Sequence, residues 1–598
     1  MNEPLEQIER VPTSRGTAES LSASGLEPAS PLRPSPHSII PAMVQDALGH
    51  HRAGRLKQAE RIYRQVLAIA TDADSLHLLG MISYQQGHYS LAVAEIEAAI
   101  AVRGDVSSYH CNLGAALQAE GRLQDAGSAY RRALVLKPNC AIAHVNLGLI
   151  FQTEHNLDEA LAHCRLAGAL KPDSAEIQMN LGSILEELGR PQEALHYFES
   201  ALALKPQLPE AHYNMGNTFC SQHRLDEAMA CYERALSIRP GYARAHHNMG
   251  HALRGLGMLD EALVCYRKAS NLLPNDPDIG FSEATALLLH GDFGLAWPGY
   301  EWRWKIESRI KPKRVYPQPL WTGEKLRSGR LLIWGEQGIG DEIMFAGLVP
   351  DLVATGNPCI LDCDPRLQPI FARSFPGLEV IASPAPHHDM TDLAVSAHLP
   401  AGSLPGIFRA SDAAFSVSTS PYLVADSAQR DQFRTSYSDG RRRVGLAWDT
   451  SNRKTGLKRR INLPLFATLF AESEVQWISL QYGSHADLEA QAEAAHAPLF
   501  VDRSVDQLLD MDRFAAQVAS MDLVITIDNS TAHLAGALGV PVWLMLPFAP
   551  DWRWQLGRSD SPWYPSMRLF RQPRPDDWHP VVQEIRSALR LENGPCVK

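Results

Sequence analysis

Nowhere along the 598 residues do about 18 apolar residues run together, so no segment is expected to span a membrane. The opening stretch "MNEPLEQIERVPTSRG" carries acidic residues and no apolar core, so a secretory signal is not expected there either. Cysteine is sparse. Nine are scattered through the chain, six of them within its helical first half, which predicts reduced thiols in a cytoplasmic protein. Cys359 and Cys363 stand four apart in "PCILDCDP" without partner ligands, which argues against zinc. Basic charge is also short: 56 Lys and Arg face 67 Asp and Glu, a net charge of −11, so no nucleic-acid partner is expected. What is present is the balance of a soluble globular protein, 45% hydrophobic and 21% charged, in a chain long enough to need several domains.

Residues 1–39, rich in Ser, Pro and Gly from position 14 on, read as a disordered tail. A period of 34 then takes over, carried by Gly114, Gly148, Gly182, Gly216 and Gly250 and by Ala126, Ala160, Ala194, Ala228 and Ala262. Pro138, Pro172, Pro206, Pro240 and Pro274 close each unit. Small residues let antiparallel helices approach closely, and the proline stops the second helix. "NLGSILEELGRPQEALHYFESALALKP" shows the pattern entire. This spacing resembles the tetratricopeptide repeat, and about eight units fit between residues 40 and 310. Stacked repeats make an α superhelix with a long concave face, a geometry suited to a protein or peptide. Asn112, Asn146, Asn180, Asn214 and Asn248 share one phase of the repeat, and His110, His144, His212 and His246 precede four of them by two residues. An asparagine ladder on the inner face can bind a peptide backbone, because each amide both donates and accepts. The repeat arrays of protein O-GlcNAc transferases resemble this. The alternative is that Asn is simply common at this position.

After "RWKIESRIKPKRVYPQPLWTGEKLRSGR", which reads as a linker, the period vanishes. "LLIW", "GEQGIGD" and "EIMFAGLVPDLVA" read as strand, glycine-rich turn and helix, and "NPCILDCDP" as the next strand. A second set runs through "RRVGLAW", "VQWISLQYG", "DLVITID" and "VPVWLML". Strands alternating with helices predict parallel sheets covered on both faces, here two Rossmann-like lobes with a cleft beyond the strand ends. The turn "GEQGIGDEI" lacks both the third glycine of a dinucleotide fingerprint and the Gly-Lys-Ser/Thr of a P-loop. Gly338 and Gly340 instead give a loop that lets the backbone approach a ligand, with Asp341 aimed from a helix start or simply capping it. In "DNSTAHL", Asp528 ends a strand while Asn529, Ser530 and Thr531 begin a helix whose free amides can meet a phosphate. Arg453, Lys454, Lys458, Arg459 and Arg460 form a basic run after "VGLAW". "DCD" at 362–364 and "DMD" at 510–512 imitate a metal motif of another fold and are read as chance, so no metal site is expected.

"EQGIGDEIMFA", "SLQYG", "DNSTAHLAGALGVPVWLMLPFAPDWRW" and "SPWYPSMRLFRQ" together resemble the C-terminal half of bacterial tetratricopeptide-repeat proteins. That half is similar to the ADP-heptose:lipopolysaccharide heptosyltransferases, metal-independent glycosyltransferases of the GT-B fold. The resemblance implies an acceptor lobe over residues 311–430 and a nucleotide-sugar lobe over 431–598, with the nucleotide-sugar as substrate and no cofactor. It implies Asp341 as the general base that takes the acceptor hydroxyl proton. It also implies a donor site of Gly338, Gly340, Lys454, Arg459, Gln481, Asp528, Asn529, Ser530, Thr531 and His533, several of which would meet the leaving diphosphate. The loop after "VGLAW" keeps Arg459 and Ile461 but lacks the Gly-Asn-Pro, His and Asp that related sequences carry, and "DNSTAHL" also departs from the commoner wording.

The expectation is therefore a cytoplasmic, bacterial-type glycosyltransferase that moves a hexosyl or heptosyl group to a hydroxyl, with the repeats holding a protein acceptor. A non-catalytic scaffold with a degenerate GT-B domain is the first alternative, supported by the altered loop. A cell-envelope, lipopolysaccharide-type sugar transferase is the second, and there the repeats have no evident use.

Overall fold

The computed structural model describes residues 39–306, 314, 316–382, 393–415, 421–450 and 456–593. Almost all of the expected N-terminal tail, and Arg453 and Lys454 of the basic run, lie outside these residues. They fall into two compact units, one ending at Thr218 and the other beginning at Phe219.

In the first unit the period becomes helix pairs such as Ser107–Ala119 with Leu123–Leu136 and Ala175–Glu187 with Pro191–Leu204. Each second helix ends two residues before the closing proline, as at Leu136 before Pro138 and Leu204 before Pro206. The glycines are demanded by packing. A Cβ on Gly182 would stand 2.5 Å from the ring of Phe198, one on Gly114 2.7 Å from Tyr130, and one on Gly148 2.6 Å from the Cys164 sulfur. The partner is always sixteen positions later, on the second helix of the pair.

The second unit begins with the last repeat helices and continues into two parallel sheets. The first comprises β1 (Arg330–Trp334), β2 (Cys359–Cys363), β3 (Glu379–Ala382) and β4 (Val395–Pro400), in the order β3-β2-β1-β4. The second comprises β5 (Arg442–Ala447), β6 (Val475–Ser479), β7 (Leu499–Phe500), β8 (Leu523–Ile527), β9 (Val542–Leu546) and β10 (Met567–Arg571), in the order β10-β9-β8-β5-β6-β7. Every pairing between these strands is parallel. Val524 points into one apolar core while Leu523 and Ile525 point into another, so the second sheet is buried on both faces, which is why "DLVITI" is apolar throughout. The first of these cores is continuous from Tyr266 of the repeats through Ile343 to Leu534.

The expected linker is anchored at its first residue and again at Trp321. Arg303 is 1% exposed and forms a two-pronged ion pair with Glu336 at 3.0 and 2.8 Å, while the Trp321 backbone N–H donates to the His398 carbonyl. The last repeat helix, Phe293–Tyr300, is fastened too, since Trp297 Nε1 donates to the Arg409 carbonyl at 2.7 Å. The stretch from 303 to 330 reads as a linker because it is rich in Arg, Lys and Pro, yet its first residue, Arg303, is matched inside the protein by a carboxylate.

Candidate functional site

In doubly wound sheets, ligands collect where the strand order reverses, outside the carboxyl ends of the strands. In the second sheet that point lies between β5 and β8. The loops leaving these strands meet there: Arg459, from the loop after β5, pairs with Asp528, just past β8, at 2.8 Å. Asn529 caps the Ser530–Ala537 helix by accepting from the Ala532 N–H at 3.1 Å, and it is fixed by the Thr526 hydroxyl. This leaves two buried polar atoms without a partner among the described residues, Asn529 Nδ2 and Thr531 Oγ1. Other buried polar atoms of the described residues also lack a partner, Tyr63 Oη and Trp477 Nε1 among them, and each can take a water or a ligand atom.

The glycine-rich turn of the first lobe faces this helix start. The two helices, Ile339–Ala346 and Ser530–Ala537, approach so closely at Gly340 that a Cβ there would stand 3.1 Å from the His533 ring. Gly338 meets no such limit; the nearest atom to its Cβ would be an Asp341 carboxylate oxygen at 3.7 Å. Asp341 sits in the first helical turn, and one oxygen accepts from the Gly338 N–H at 3.3 Å. Its other oxygen pairs with Arg553. Asp341 is thus both the helix-start acceptor and one side of a link between the lobes.

Arg553 was not singled out from sequence. It lies in "DWRW", between Trp552 and Trp554, both of which are buried. Between them Arg553 reaches Asp341 and, at 2.6 Å, Asp551, and lies 4.5 Å over the Trp552 ring, while its buried Nε has no partner among the described residues. Burial opposes its charge, but Asp341 and Asp551 outweigh burial and hold it firmly protonated. Burial would raise the Asp551 carboxyl as well, yet Arg553 keeps it below the ordinary carboxylate value. Asp528 goes the other way: burial raises it, and Arg459 only partly offsets that.

The remaining expected donor residues have defined places. His533 is buried, bonds the Tyr564 hydroxyl through Nδ1 at 2.9 Å and stacks on Trp554. Burial pushes it down to about 3, so it is a neutral packing group and not a phosphate cation. Gln481 accepts from the backbone N–H groups of Trp448 and Asp449 and donates to the Tyr482 carbonyl, which fixes the start of the loop carrying Arg459. Ser530 is half-buried at the helix start. Of the two Asp-x-Asp imitations, Asp362 pairs with Arg314, Asp510 caps the Met511–Ala519 helix and Asp512 pairs with Arg373.

On the repeats, Asn112, Asn146, Asn180, Asn214 and Asn248 are all half-buried. Asn112 bonds His77 at 2.8 Å and Asn214 bonds Ser183 at 3.1 Å, each partner belonging to the preceding repeat. The histidines two positions earlier have a structural use: His110, His144 and His246 bond the carbonyls of Gly104, Pro138 and Pro240, each at 3.0 Å.

Tetratricopeptide-repeat family models match residues 77–139, 139–207 and 207–275. Protein FlbA of Caulobacter vibrioides is 32% identical over 336 residues, 52% of this chain and 54% of that protein, so the chain spans about half the length of this relative. The crystal structure of MamA is 29% identical, covering 27% of this chain and 94% of its own, with a TM-score of 0.25. YrrB, described as a tetratricopeptide-repeat protein with an unusual peptide-binding site, is 24% identical and covers 31% and 95%, with a TM-score of 0.27. No helix of the described residues is long and apolar enough to cross a membrane. Residues 77–275 are tetratricopeptide repeats, and the region that follows them is an α/β region built on two parallel sheets.

Proposed function

We propose that the α/β region is a GT-B glycosyltransferase module that moves a sugar from a nucleotide-sugar donor to a hydroxyl of a protein held by the repeats. The observation that carries this reading is the pair of unpartnered buried atoms, Asn529 Nδ2 and Thr531 Oγ1, at a helix start facing Asp341. The leaving diphosphate would take the free amides of the Ser530–Ala537 helix, Asn529 Nδ2 and the guanidinium of Arg459. Asp341 would accept the acceptor proton as the new glycosidic bond forms. A carboxylate already paired with Arg553 is a weak base, so its use rests on position more than on proton affinity.

The same ion pairs favour a second reading, a ligand-binding or purely structural scaffold, because Arg459 and Arg553 each already hold a carboxylate. Thermal shifts with ADP, UDP, GDP and CDP separate the two. A ligand present at about 100 times its Kd should stabilise the second unit by about 2.7 kcal/mol. No shift with any of the four removes the transferase reading. If one binds, Asp341→Ala should retain that shift and lose about 10²–10⁴ fold in transfer or donor hydrolysis.

A further inference from the structure

The described cysteines are all free, and two of them touch: the sulfurs of Cys111 and Cys140 lie 3.5 Å apart across 29 residues of chain. Cys111 is buried in the Ser107–Ala119 helix. Cys140 is half-buried and stands at the N-cap of the Ala141–Thr153 helix in the next repeat. We propose that this pair is a redox modification site, at which a hydroperoxide oxidises Cys140 and Cys111 then closes a disulfide onto it. In the first step the Cys140 thiolate attacks the peroxide, a sulfur–oxygen bond forms, the oxygen–oxygen bond breaks and hydroxide (or an alkoxide) leaves. In the second, the Cys111 sulfur attacks the Cys140 sulfenic acid, the sulfur–sulfur bond forms, and water departs with the Cys111 proton. Two thiols and one hydrogen peroxide thus become one disulfide and two waters.

The surroundings divide the two roles. The hydrogen bond shared with Cys111 lowers the Cys140 thiol against burial, and the first amides of the helix it caps and Lys137 favour the charge on this sulfur, the more exposed of the two. Donation and burial together push Cys111 up, as expected of a thiol that waits for an electrophile. Burial pushes Cys164, Cys231 and Cys359 up to about 11 each, and raises Cys220, Cys265 and Cys363 too, so these six are protonated and poor nucleophiles. The new bond would enclose the whole Leu123–Leu136 helix in a covalent ring and tie two successive repeats together beside Asn112.

The test is peptide mapping of the full chain after reduction, one equivalent of hydrogen peroxide and alkylation. The expected product is tryptic peptide 104–122 joined to peptide 133–165, formed at least about tenfold faster than oxidation of any other cysteine and reversed by dithiothreitol. Cys111→Ser should leave a sulfenic acid on Cys140 that dimedone captures, and Cys140→Ser should leave Cys111 unoxidised. Wild-type mapping decides the matter even where a variant folds poorly. Oxidation of the other cysteines at the same rate, or dimedone capture at Cys111 first, overturns the proposal.

Discussion

Charged side chains along the repeat helices and those where the last helices join the lobes are neutralised in opposite ways. In the repeats, pairs such as Arg122–Asp125 and Arg190–Glu193 link residues one turn apart, and each member is between 41% and 56% exposed. At the junction, Arg303 and Glu336 are both 1% exposed, and Arg553 reaches back 212 residues to Asp341. An exposed pair is worth about 0.2–1 kcal/mol and is weakened by salt. A buried pair contributes little net stability, yet losing one partner strands a charge without water. The repeats therefore tolerate loss of individual surface charges, and the junction does not.

Three substitutions probe that contrast. Arg303→Ala leaves Glu336 buried with its counter-charge gone, and denaturant unfolding should show a loss of about 3–5 kcal/mol in the second unit. A loss below about 1 kcal/mol would place this pair with the surface ones. In the repeats, where packing and not charge is decisive, two helical glycines should respond with opposite sign. Gly182→Ala drives a methyl against Phe198 and should cost about 1–3 kcal/mol. Gly127→Ala meets its nearest atom at an ordinary 3.5 Å and should gain about 0.5–1 kcal/mol. Equal responses would mean that the close approach at Gly182 is not what selects glycine.

A pH-dependent effect is expected at Glu342, whose carboxyl lies beside Asp362 and Asp364 and accepts from the Asp364 N–H. Burial raises it from 4.5 to about 7, so the folded state prefers the neutral acid. Its stabilising contribution is complete below pH 4.5 and is lost as pH rises through 7. Glu342→Gln should match the wild type in acid and exceed it by about 3 kcal/mol at pH 8. A difference that stays flat with pH would show that Glu342 is well hydrated.

The same contrast explains what was legible in the sequence. Gly182 is legible because a glycine recurs in its phase at every unit, while its partner Phe198 is not, since the facing residue changes from Tyr130 to Cys164 to Phe198; the apolar run of β8 announces a strand buried on both faces. Asp341 and Asn529 stand out in the sequence because each follows a strand at a turn with recognisable chemistry, whereas the close approach of their two helices at Gly340 is visible only in the fold. Arg553 was missed because its meaning depends on Asp341, far away in the chain, and its neighbours are tryptophans that read as packing. His533 was found for its place in the turn, but only burial among Trp554 and Tyr564 reveals that it carries no charge. The role of Arg303 is not legible because one arginine among several in a basic, proline-containing stretch gives no sign of a matching carboxylate inside the protein.

Trp297 bonded to the Arg409 carbonyl and Arg303 locked to Glu336 rivet the end of the repeat helices to the glycine-rich turn. The spacing between that helix end and the turn carrying Asp341 is therefore set by side chains reaching across the fold and not by the backbone that runs between them.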